Sequence, residues 1–293
     1  MLGGLSNDRY SIAHVWVQRM PEDNDILGKA KTGVEVLGKI IEGAGDDPRA
    51  KQAAANLGDA AVTVTTAINN VLLPLAGLNF AIAKARTYFG NKFHIDLQEK
   101  TKAIPADCVV EPKASLAGPA LQGLAFSHEE EDLRALYLGL LATAMDGRVA
   151  ENAHPAFVEV IKQIDGREAR ILQQFLRHSD PQPIVEVRLG TNNLPGYAVL
   201  RTHLINLLEA DGKTPAVRTH VPSLIDNWVR LGLVSVTYAE ELADHAVYAW
   251  APNRPEFLEL RSLHQSPRVV TLANGSLRRT DFGFRFAAAV GII

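Results

Sequence analysis

Residues 127–164 read SHEEEDLRALYLGLLATAMDGRVAENAHPAFVEVIKQI, and this run predicts two helices joined by a corner. Ser127 with Glu130 three residues later has the spacing of a capping box, and the acids from Glu129 to Asp132 suit the positive end of a helix. Leu133, Leu136, Tyr137, Leu140, Leu141 and Ala144 then recur at three- and four-residue spacing, so they share one face of a helix reaching about Met145. Asp146-Gly147 stops it. His154-Pro155 opens a second helix with Phe157, Val158, Ile161 and Ile164 inward. Asp146, Glu151, Asn152, His154 and Pro155 therefore mark a rigid corner, with Glu151 or Asn152 bonding backbone groups in the turn. A structural role is the expectation for these five, and ligand contact is the alternative. Glu151 and His154 have the Glu-x-x-His spacing of a di-iron helix, but Pro155 pushes His154 out of helical geometry and no second copy exists. No metal is expected there.

Upstream, Ile26 to Glu42 has a helical apolar face, Gly43 to Pro48 breaks it, and a second helix is expected from Pro48 to about Leu73. Residues 60–85 (AAVTVTTAINNVLLPLAGLNFAIAKA) are the most apolar in the chain. A membrane span needs about 20 predominantly apolar residues. Thr63, Thr65, Thr66, Asn69, Asn70 and Pro74 interrupt this one, so a kinked, buried helix is expected, with membrane contact through residues 60–89 as the alternative. A further helix continues from Leu78 to Phe93. Pro105, Pro112, Gly118 and Pro119 then make Ile104 to Pro119 read as an extended connector.

Downstream, the pattern predicts a helix over Arg167 to Arg177, a strand over Ile184 to Leu189, and a helix over Val199 to Leu208. A short helix follows over Ser223 to Leu231, stopped by Gly232, and then strands over Leu233 to Tyr238 and Ala246 to Trp250. Val269 to Arg279 reads as a hairpin turning at Asn274-Gly275, and Thr280 caps a last helix from Asp281 to about Val290. The expected fold is mainly α with a C-terminal α+β part. A loosely held arm (1–25) precedes a helical domain (26–164) and a winged-helix-like domain (165–293).

The 30 basic and 33 acidic residues give a net charge of −3, against a strongly basic nucleic-acid binder. One cysteine, Cys108, rules out an internal disulfide and any multi-cysteine metal site. Its apolar neighbours predict an inert thiol. Residues 1–20 lack the uninterrupted apolar run of a secretory signal, so a cytoplasmic location is expected, with membrane association as the alternative. Gly28/Gly33 and Gly212-Lys213-Thr214 fail as phosphate loops at the residues that hold phosphate. No catalytic residue, metal or cofactor is expected. An enzyme would need a pocket where titratable groups converge.

The element order over residues 167–286 suits a winged helix, with Ser223 to Leu231 as recognition helix and the wing at Asn274-Gly275. Trp228, Arg230, Arg278 and Arg279 are then the candidates for nucleic acid. Asp226 and a single Arg on the helix weigh the other way, toward a packing or partner role.

Several runs resemble the abortive infection alpha family of bacteria. They are Asn70 to Asn79, Ile104-Pro105, Glu111-Pro112, Ala117 to Leu121, Glu130 to Leu133 and Leu140 to Ala142. Met145-Asp146 through Glu151-Asn152-Ala153-His154-Pro155-Ala156-Phe157-Val158, Leu231 to Leu233, and Thr280 to Phe286 complete the likeness, over about Val62 to Phe286. The resemblance implies phage defence and brings no catalytic or binding residue with it. The function expected is a non-enzymatic defence or interaction protein that works with a protein partner or as a homo-oligomer. The alternative is a winged-helix DNA-binding regulator.

Overall fold

The computed structural model describes residues 79–293 apart from Asn193, so the expected arm, the first two helices and most of the apolar stretch lie outside the described residues. In chain order come α1 (Asn79–Asn91), α2 (Phe93–Thr101), α3 (Ala114–Ser127), α4 (Glu131–Met145), α5 (Ala156–Lys162) and α6 (Gly166–Arg177). Strands β1 (Gln182–Thr191) and β2 (Leu194–Leu204) follow, then α7 (Val221–Arg230) and the short β3 (Val234–Thr237). Helix α8 (Pro255–Ser262), β4 (Arg268–Arg279) and α9 (Asp281–Ala289) complete the order. The strands form one antiparallel sheet in the order β2-β1-β4-β3.

Helix α4 sits at the centre. Every residue from Leu136 to Ala142 is buried, more than the one-sided stripe that its spacing predicts, because helices pack against it from several directions. Gly139 permits the closest approach: a Cβ there would lie 2.1 Å from the Val290 carbonyl oxygen. One hydrophobic cluster joins Leu121 of α3, Leu140 of α4, Ile161 of α5, Leu172 of α6, Ile184 of β1, Trp228 of α7 and Phe286 of α9. A smaller cluster covers the other face of the sheet. Val185, Val187 and Leu204 there meet Tyr248, Ala251 and Phe257. The period of two along β1 explains why Ile184 and Val185 enter different clusters.

Several expectations are corrected. Ile104 to Pro119 is not all connector, since α3 starts at Ala114 and carries Pro119 inside it. The ring costs one backbone hydrogen bond, to the carbonyl of Ser115 on the exposed side. Buried Leu116, Ala117, Ala120, Leu121 and Leu124 offset that cost. Ser127 caps nothing: it ends α3, its hydroxyl donating to the Gly123 carbonyl at 2.9 Å, and Glu130, at the N-cap of α4, makes no side-chain cap. Val199 to Leu208 is not a helix, because most of it belongs to β2 and pairs with β1. Ala246 to Trp250 forms 3-10 turns rather than a strand. Asn274-Gly275 is not a turn. β4 runs straight through it, with Asn274 opposite Val185 and Gly275 opposite Ile184. The glycine answers crowding instead: a Cβ at 275 would lie 2.4 Å from the Thr237 carbonyl oxygen. Thr280 caps α9 as its position predicts, its hydroxyl accepting the Gly283 N–H at 2.9 Å.

Among the described residues of 60–89, Ala85 and Tyr88 are buried. Among the described residues no helix is long and apolar enough to cross a membrane.

Candidate functional site

The 146–155 corner is fastened to the segment before α3. Val109 bridges Asp146, the Val110 N–H donates to the Met145 carbonyl at 2.9 Å, and the Gly147 N–H donates to the Cys108 carbonyl at 2.8 Å. Asp146 accepts from Arg148 Nε at 2.8 Å and Nη2 at 2.6 Å. Those bonds hold its carboxyl below the usual carboxylate range, against partial desolvation. Glu151 and Asn152 form a 3-10 turn and stay exposed. His154 Nδ1 accepts the Ala156 N–H at 3.1 Å, and Pro155 stands at the start of α5. Asp146→Asn is expected to cost about 1 kcal/mol at neutral pH, a charged hydrogen bond discounted because Arg148 is half exposed. A lowered folded pKa contributes above the unfolded value near 3.8 and is lost as pH falls through the folded one. Urea titrations of wild type and variant should therefore differ more at pH 7 than near pH 3. A gap of the same size at both values would rule this account out.

Trp228 lies at the junction of α6 and α7 and is 0% exposed. Its Nε1–H donates to Glu168 Oε1 at 2.8 Å, and Asn227 Nδ2 donates to the same oxygen at 2.9 Å. Burial raises the pKa of Glu168, and these two donors pull it part of the way back. Arg230 is exposed, but its Nη2 donates to Asn227 Oδ1 at 2.6 Å. Arg278 and Arg279, adjacent on β4, point to opposite faces of the strand. Arg278 lies 3.7 Å from Glu240. Arg279 donates to the Leu176 carbonyl and stands 4.9 Å from the Phe284 ring centre. The four nucleic-acid candidates do not share one solvent face, since Trp228 is enclosed in the core.

Three features escaped the sequence reading. The first is a relay joining β2, the residue just after β3, and α7. The Tyr238 hydroxyl accepts the His203 N–H at 3.0 Å and meets His203 Nδ1 at 2.9 Å, while His203 Nε2 meets Asp226 Oδ1 at 3.0 Å. The Asp226 carboxylate can only accept, so Nε2 is the donor in that contact. His203 holds φ at 56°, in the left-handed region. Burial raises the Tyr238 pKa, so its phenol stays protonated. The second feature is the pair Arg254–Glu256, side chains 4% and 5% exposed, joined at 2.6 Å and 3.0 Å. Arg254 also donates to the carbonyls of Leu207 and Ala216, both at 2.9 Å. The third is a cleft of about 180 Å³ lined by the end of α6, the start of β1 and residues 205–207. No residue spacing announces any of these, because each joins segments distant in sequence or depends on backbone shape.

Cys108 is partly exposed, and desolvation together with Asp107 raises its pKa, keeping it a thiol. No group of three or more His, Cys, Asp or Glu residues among those described is placed to hold a metal ion.

These features define a helix-rich protein with an α+β C-terminal part, whose buried polar clusters fasten one segment to another. Residues 85–290 match the model of the abortive infection alpha family, and the chain belongs to that family. No curated protein and no solved structure matches it. The family's description points to abortive infection, a phage-defence function.

Proposed function

We propose that this chain is a cytoplasmic, non-enzymatic phage-defence protein that acts by contacting another protein, a partner or a second copy of itself. The supporting observation is the far part of the sheet. There β2 is an edge strand, and it exposes Leu194 (66%), Tyr197 (56%) and Val199 (46%). Exposed apolar side chains on a strand with unpaired outer backbone groups favour a protein contact. The double variant Leu194→Lys, Val199→Lys changes only exposed positions. It should keep the wild-type thermal midpoint and lose protection in phage plating assays by about tenfold or more, one hot-spot contact's worth. Full protection from a folded variant would overturn this reading.

A winged-helix reading for DNA draws on the succession α6, β1, α7, β3, β4 and on the neighbouring strands β1-β4-β3. In it, β2 and residues 205–220 replace the second helix. Buried Trp228 and the intramolecular bonds of Arg230 and Arg279 weigh against it. Gel shifts on duplex DNA across a salt series test it, since phosphate contacts weaken steeply as salt rises. Membrane contact through residues 60–89 is tested by vesicle flotation of the full chain.

A further inference from the structure

We propose that the cleft at the end of α6 binds the base of a nucleotide unit, and that α6 carries its phosphate. The cleft is walled by Gln174 and Phe175 of α6, His178 just past its end, Gln182 of β1, and Ile205 and Asn206 beyond β2. Four of these six offer amide or imidazole groups around an apolar floor. Among the described residues, the exposed side chains of Gln174 and Asn206 make no hydrogen bond to the protein, so their donors and acceptors are open to a ligand. Neutral groups able both to give and to accept suit the edge of a heterocycle better than a charged metabolite. At about 180 Å³ the cleft falls below the ~300 Å³ at which drug-sized pockets begin, so it takes one ring system and leaves the rest of the ligand outside.

What lies outside is cationic. The one acid of α6, Glu168, is turned inward against Trp228. Its solvent side carries Arg167, Arg170, Gln174 and Arg177, all exposed and spaced at three and four residues along one face. Arg170 is still 72% exposed while touching Asp132. Gln174 thus belongs both to the cleft and to a row of arginines that suits a phosphate backbone. This site is independent of the protein-contact surface, which lies on β2 opposite Arg188 to Thr191, about 20–30 Å along β1 from Gln182 at ~3.3 Å per residue.

The test uses the full chain. Binding of labelled single-stranded DNA and RNA 12-mers is followed by anisotropy beside the same sequences as duplex, with free mononucleotides measured by calorimetry. Gln174→Ala and Asn206→Ala, both at exposed positions, should keep the thermal midpoint and each weaken binding by about fivefold, one hydrogen bond's worth. Arg177→Gln should weaken every sequence alike and reduce the salt slope by about 0.7 on single strands. Binding of mononucleotides with the same variant pattern assigns the site to a free nucleotide. Binding of strands alone assigns it to single-stranded nucleic acid. No binding of either, binding equal on duplex, or Gln174 and Asn206 variants indistinguishable from wild type would overturn the proposal.

Discussion

Trp228→Ala is expected to lower the unfolding free energy by about 4–5 kcal/mol, at the upper end for a buried tryptophan truncated to alanine. The ring is fully enclosed, lies 5.8 Å from Phe175 between centres, and gives its N–H to Glu168. Its removal leaves a cavity and strips a buried carboxylate of a donor. Trp228→Phe separates the two effects, since it keeps most of the volume and should cost about 1.5–3 kcal/mol for the charged hydrogen bond. Glu168→Gln keeps an acceptor for Trp228 and removes the buried charge. Because the folded pKa of Glu168 is raised from 4.5, its favourable contribution is complete below that value and is lost as pH rises through the folded pKa. The glutamine variant should therefore match or exceed wild type at pH 7 and lose that advantage near pH 4. Chemical denaturation at both values measures it. A Glu168→Gln protein less stable at pH 7 than at pH 4, relative to wild type, would mean that the carboxylate charge helps the fold.

Arg254→Ala ranks beside it, with an expected loss of about 3–5 kcal/mol, as for a buried ion pair broken from one side. Both side chains are nearly sealed from water, so Glu256 would be left charged with no counter-ion. The loop after β2 would also lose its two ties, at the Leu207 and Ala216 carbonyls. Arg254→Ala with Glu256→Ala should cost less than the sum of the single changes, because the orphaned charge is then gone. Additive costs would show that the two residues act separately. The loop also forms part of the proposed cleft, so Arg254→Ala should weaken nucleotide binding along with stability.

The long helices were legible because their apolar residues recur within a few positions. Leu133, Leu136, Leu140 and Leu141 of α4 and Phe157, Val158 and Ile161 of α5 are all buried where the period places them. Thr280 was legible for the same local reason. The sheet was not. Val199 to Leu208 contains apolar residues at spacings that suit a helix, and only the presence of β1 alongside turns Leu194–Leu204 into a strand. Asn274-Gly275 has the composition of a turn, but β1 offers ten residues to pair, from Gln182 opposite Leu277 to Thr191 opposite Arg268, and continuous pairing outweighs the dipeptide. Pro119 marks a break in isolation, yet the buried residues around it keep α3 intact.

The candidate residues divide along the same line. Trp228 was singled out for its type and its helix, but α7 is amphipathic, and packing on α6 decides that the ring turns inward. The Tyr238–His203–Asp226 relay and the cleft beside Gln174 join side chains tens of residues apart, and Arg254 reaches the distant carbonyls of Leu207 and Ala216. Sequence alone determined the helix-rich class and the inward faces of the central helices, because both are written in short-range spacing, and the family through the likeness of whole motif runs. The tertiary structure decided the strand pairing, the buried charges and the surfaces left open, because those depend on which distant segments meet and on what water can still reach.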